Sequence, residues 1–106
     1  MHRREFRVRR IPSENLVIEK LPDGSTAVFD SRSGAVHSLN ASAAAAFEAC
    51  RQSRTMADVA RAMSDALDGP VTGDFARAAI WELEAAGLVE CSGQATSRKS
   101  VMRATV

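Results

Sequence analysis

A chain of 106 residues with 45% hydrophobic residues and a net charge of +1 reads as one domain, able to bury roughly 60 to 65% of the surface its unfolded form exposes. It has no apolar run of about 18 residues and no apolar segment after its basic start, so it shows no membrane span or secretory signal and a cytoplasmic location is expected. Cys50, Cys91, His2 and His37 lack zinc-site spacing, so no metal or other cofactor is expected and both cysteines read as reduced, structural thiols.

The charge is unevenly spread. Residues 1–10 hold five Arg and one Glu, net +4, residues 92–106 are net +3, and residues 11–91 hold twelve acids against six bases, net −6. A basic N-terminal arm (1–12), an acidic folded body (13–91) and a Ser/Thr/Gly-rich tail (92–106) follow, with arm and tail expected to lack fixed structure.

Residues 16–20, Leu-Val-Ile-Glu-Lys, predict a first strand. Pro22-Asp23-Gly24 is turn chemistry, and residues 25–30 predict a second strand paired with the first as a hairpin. A loop ending at Gly34, where positive φ is expected, leads to a third strand in which Val36 and Ser38 face one side and Ala35, His37 and Leu39 the other. The simplest topology is a meander with the third strand at an open edge.

Asn40 sits where an N-cap belongs, before an alanine-rich helix over residues 41–52 that turns Ala43, Ala46, Phe47 and Cys50 inward. A second helix, residues 55–67, carries Met56, Val59, Ala60, Met63 and Leu67 in a stripe, with Thr55 and Asp58 approximating a capping box and Asp68-Gly69-Pro70 as its stop. Thr72 caps a third helix that runs to Ala86 and stops at Gly87. Its expected core face is Phe75, Ala79, Ile80, Leu83 and Ala86; Trp81 falls on another side, near Asp74 and Arg77, either covering the flank of the ribbon or a neighbouring helix or lining a groove. The expected fold is α+β: a small winged-helix-like domain, with a three-stranded antiparallel meander followed by three helices.

No convergent set of acid, base and nucleophile is present, and no phosphate loop, so an enzyme is not expected. His37 reads as a partly buried strand histidine. Winged helices often bind DNA, yet the third helix offers Arg77 alone against Asp74, Glu82 and Glu84, so only the arginine-rich arm could grip phosphate and DNA is disfavoured as a partner. An exposed strand edge beside a helix suits a peptide that adds as a strand. The same edge could pair with a second copy in a homodimer.

The ordered set Gly34-x-Val36-His37-x-Leu39-Asn40, the small-residue helix with Phe47 and Cys50, Thr55-Met-Ala-Asp-Val-Ala, and Ile80-x-x-Leu83-x-x-x-Gly87-Leu88-Val89 resembles the PqqD family. These are the pyrroloquinoline quinone biosynthesis protein D-like proteins, also called RiPP recognition elements, and the resemblance covers residues 16–90. It implies a peptide chaperone that captures the leader segment of a ribosomally made precursor peptide and presents it to a modifying enzyme, commonly a radical S-adenosylmethionine enzyme. Carried over by position, it implies a main-chain ladder at Val36, His37 and Ser38, and a helix side of the groove at Asp74, Arg77, Ala78 and Trp81. The chain has Phe47 where many members have Trp, and Arg51-Gln52-Ser53 where they have an Asp-Gly turn. It therefore reads as a stand-alone member of unassigned pathway.

Overall fold

A computed structural model describes residues 6–93. Its order is β1 (Arg7–Arg10), a short 3-10 turn (Ser13–Asn15), β2 (Leu16–Lys20), β3 (Thr26–Asp30), β4 (Ala35–Leu39), α1 (Ala41–Ala49), α2 (Met56–Leu67), α3 (Gly73–Ala85) and β5 (Val89–Ser92). The expected meander and three helices are present, in an α+β arrangement with the antiparallel strand order β2-β3-β4.

A second sheet goes beyond the expected plan. β1 and β5 pair antiparallel from Arg7↔Ser92 to Arg10↔Val89, so residues 7–10 of the basic arm and the apolar exit after α3 form a ribbon. The alternation that drives it is short: Val8 and Val89 are buried while Arg9 and Glu90 face solvent. Ile11 of the expected arm is buried as well, and residues 1–5 and 94–106 of the expected arm and tail lie outside the described residues.

β1 also explains why α1 stops three residues short of residue 52. The Arg10 N–H donates to the Cys50 carbonyl at 2.8 Å, and Val8 and Arg54 exchange backbone bonds at 2.8 and 2.9 Å. Backbone groups that a longer helix would hold are used to dock the ribbon instead.

The helix starts are capped as their sequences predict. Asn40 Oδ1 accepts from Ala43 N–H at 2.8 Å, Thr55 Oγ1 from Asp58 N–H at 3.2 Å and Thr72 Oγ1 from Phe75 N–H at 3.0 Å, each satisfying a donor that has no partner inside its helix. At the end of α2 the left-handed residue is Asp68 itself, at φ 57°, a conformation a short polar side chain tolerates. Gly34 has φ 78° as its turn requires.

The core gathers Val28 and Leu39 from the sheet, Ala43, Ala46, Phe47 and Cys50 from α1 and its end, Val59 and Met63 from α2, Ile80 and Leu83 from α3, Val8 and Val89 from the ribbon, and Leu88 just before β5. One expectation is corrected here. Phe75 is exposed (46%) while Ala76 is fully buried, because the inward face of α3 is Ala76, Ala79, Ile80 and Leu83, at i, i+3, i+4 and i+7. Phe75 lies about 100° off that stripe, in the first turn of the helix.

Candidate functional site: the open edge of β4 and the outer face of α3

The site begins with the register of the sheet. β2 pairs with β3 from Leu16↔Asp30 to Lys20↔Thr26, and β3 with β4 from Thr26↔Leu39 to Asp30↔Ala35. Among the described residues no strand pairs with the far side of β4.

Two hydrogen bonds beyond the ends of the β2–β3 ladder set the direction of every amide in it. The Ser31 N–H donates to the Asn15 carbonyl and the Leu21 N–H to the Ser25 carbonyl, both at 2.9 Å. Antiparallel ladders alternate bonded and non-bonded pairs, so the bonded pairs between these bracketing bonds are Val17 with Phe29 and Glu19 with Ala27. Thr26, Val28 and Asp30 must then turn their backbone groups to β4, where their partners are Leu39, His37 and Ala35. The N–H and C=O groups of Val36 and Ser38 point out of the open edge.

This divides the expected three-residue ladder. Val36 (69% exposed) and Ser38, also exposed, present free main chain. His37 spends its main chain on Val28 and turns its half-buried side chain to the inner face, in a row with Ile18 and the fully buried Val28. It can touch a fourth strand only through its imidazole.

Asp74, Arg77, Ala78 and Trp81 share one face of α3 at i, i+3, i+4 and i+7, turned away from the buried stripe. Arg77 Nη1 donates to Asp74 Oδ1 at 2.8 Å on the surface. Trp81 is half-buried, whereas Asp74, Arg77 and Ala78 are exposed. β4 and α3 are not among the closely packed pairs of elements; α1 packs on both, and α3 packs further on α2 and β5.

Two residues that sequence reasoning did not single out brace this edge. Asp30 is buried at 4% exposure and accepts from the Arg32 guanidinium at 3.2 Å (Nε) and 3.0 Å (Nη2), as well as from the Arg32 backbone N–H at 2.9 Å. These bonds hold the Asp30 carboxyl below the usual carboxylate range and push the Arg32 pKa up. Arg32 Nη2 also reaches the Gly87 carbonyl at a long 3.5 Å, tying the β3–β4 turn to the end of α3. An Asp-x-Arg spacing straddling a hairpin turn was the available signal.

Three surface cavities, of about 670, 370 and 540 Å³, are lined respectively by the β1–β5 ribbon, by the β2–β3 turn with α1 and α2, and by α1 with α2. None of the three includes Val36, His37, Ser38, Asp74, Arg77, Ala78 or Trp81, although Glu84, at i+3 from Trp81, lines the first. Among the described residues no three His, Cys, Asp or Glu side chains cluster as a metal ion would require, and no helix is long and apolar enough to cross a membrane.

Fold and edge together define a small α+β domain whose sheet leaves both β2 and β4 uncovered at its edges among the described residues, with the free main chain of β4 fixed in register. Comparison with protein-family models, curated proteins and solved structures gives no match.

Proposed function

We propose that this domain is a non-catalytic peptide-binding module that takes up an extended segment by strand addition at β4. The observation that carries this reading is the outward-pointing main chain of Val36 and Ser38 on a strand with no Asp, Glu, Lys, Arg or Pro from Gly34 to Leu39. Main-chain bonds give such binding its affinity, and flanking side chains its selectivity. The sequence resemblance to the PqqD family narrows the ligand to the leader of a ribosomally made precursor. It also narrows the function to presenting that leader to a radical S-adenosylmethionine or other modifying enzyme, in a cytoplasmic setting.

Duplex DNA is less well supported. The three arm arginines among the described residues are engaged on the body: Arg7 donates to Ser53 Oγ at 2.8 Å, Arg9 lies 3.4 Å from Glu90, and Arg10 stands 4.4 Å above the Phe47 ring and 3.8 Å from Glu48. Phosphate contacts dominate duplex affinity, so these cations would have to leave their partners to supply it.

The test is titration of the isotope-labelled protein with synthetic leaders of short precursor peptides encoded beside its gene. Binding should shift the amides of Val36 and Ser38 and change Trp81 fluorescence. Leaders that leave both signals unmoved at millimolar concentration, beside duplex binding that falls steeply with salt, would replace this reading with the DNA one.

A further inference from the structure

We propose, resting on the strand-addition reading, that β4 selects cationic peptides carrying a β-branched or aromatic residue at the position paired with Val36. The outer face of the sheet has one apolar row, Val17–Phe29–Val36, in direct cross-strand register. Its members are 64%, 39% and 69% exposed, so no element of the described chain covers it. The row runs across all three strands and ends at the open edge.

A fourth antiparallel strand has little freedom in how it meets this row. The outward N–H and C=O groups belong to Val36 and Ser38, so the peptide residues paired with them project to the outer face, and the residue between them faces His37 and the helices. The residue opposite Val36 therefore becomes the fourth member of the row. Cross-strand partners of a β-branched side chain favour β-branched and aromatic residues over Ala, which corresponds to about two- to fivefold in affinity.

The flanks of the peptide are set by charge. The folded residues 6–93, with Arg7, Arg9 and Arg10 of β1 included, are net −3, and Arg32, Arg51, Arg61 and Arg77 each already lie against a carboxylate. Glu19, on the same outer face, and Glu82, on α3, are exposed. A segment flanked by Lys or Arg is steered to such a surface, and one flanked by Glu is repelled.

A random twelve-residue peptide display library panned on the full chain, and in parallel on the Val36→Glu variant, tests this. Val36 is mostly exposed, so the substitution leaves the core intact. Wild type should enrich Val, Ile, Thr, Phe, Tyr or Trp at one position within a Lys/Arg-bearing frame. Truncating that residue to Ala in a synthetic copy should weaken binding about two- to fivefold, and Val36→Glu should replace it with Lys or Arg.

Peptides that protect the Val36 and Ser38 amides without a preference at that position, or with one that Val36→Glu leaves unaltered, would overturn this inference while strand addition stands. Failure of every enriched peptide to touch those amides would sink both. Protection of the same amides that rises with protein concentration alone would overturn it in favour of a second copy as occupant.

Discussion

The alternation of backbone direction along β4 can be measured amide by amide. If His37 and Leu39 bond inward, their hydrogens exchange only when β4 leaves the sheet, which pulls Leu39 (7% exposed) out of the core. Burying a leucine is worth about 1.5–3 kcal/mol, and each ladder bond adds about 1 kcal/mol. Opening therefore costs about 3 kcal/mol or more, and exchange should be slowed at least about 100-fold. The Val36 and Ser38 amides should exchange within about tenfold of an unstructured peptide, since no bond must break first. Proline substitution makes the same point independently. His37→Pro removes the donor to the Val28 carbonyl, a residue with no solvent exposure, at a cost of about 1–3 kcal/mol. With a urea m-value of about 1 kcal/mol/M, the midpoint falls by about 1–3 M. Val36→Pro deletes a hydrogen that points to solvent and should shift the midpoint by less than about 0.5 M, as proline on an open edge does. A Val36 amide protected as well as that of His37, or a Val36→Pro variant as weakened as His37→Pro, would refute the assignment and move the free main chain to the odd-numbered residues.

Asn40→Ala should lower stability by about 1 kcal/mol, and Asn40→Gly by only a few tenths, because the Ala43 amide loses its acceptor in the first case and gains water access in the second; for a domain of this size thermal melting should show the Ala change as a fall of about 4–8 °C. Asp30 has its carboxyl pKa lowered by the Arg32 guanidinium, so its contribution is present above the unfolded value of about 3.9 and lost as pH falls through the lower folded value. Asp30→Asn should therefore flatten the acid limb of the stability curve, and an unchanged limb in acid titration by circular dichroism would count against the clamp. Burial pushes both the Cys50 and Cys91 thiols up to about 12, with Glu84 adding to the rise at Cys91. Their folded pKa values exceed the unfolded one, so stability is intact below about pH 8.5 and erodes as pH rises towards the folded values; both thiols should resist alkylation at pH 8 until urea is added.

Local signals read out most of the fold because each is decided within a few residues. Asn40, Thr55 and Thr72 cap because a side-chain oxygen three residues before a free N–H needs no tertiary help. The period-two alternation at residues 35–39 placed Leu39 inside and Val36 outside correctly. What escaped depended on partners far away in sequence. Arg7–Arg10 reads as a charged arm, with Val8 its sole deeply buried member, and the strand forms because Val89 and Cys91 from the other end of the domain and Arg54 from between α1 and α2 offer it backbone partners. Phe75 was misplaced because helical periodicity leaves about one residue of phase uncertain, and only packing of α3 shows that Ala76 faces the core. The direction of the β4 amides is not legible in the sequence either, since it follows from bonds made between the ends of β2 and β3, such as that of Ser31 to Asn15.

Among the described residues the sheet has two open edges, and their sequences differ in a way that favours one. β2 is followed by Pro22 and carries Glu19 and Lys20 within its five residues; charges and a nearby proline are the devices that keep an edge from pairing. β4 has none of them, and the remaining strands among the described residues, β1 and β5, satisfy each other instead of covering it. Placing a guard on β4 should therefore close the site. Ser38→Lys puts a charge on an exposed side chain beside the free main chain, so it should weaken strand addition with little effect on melting temperature. Val17→Lys places the same charge on the same face but two strands away, about 10 Å from β4 at the usual inter-strand spacing, and should leave edge pairing in place. Isothermal titration with one edge-binding peptide compares the two. Equal weakening by both would mean that the peptide sits on the face of the sheet, whereas loss confined to Ser38→Lys places it along the edge.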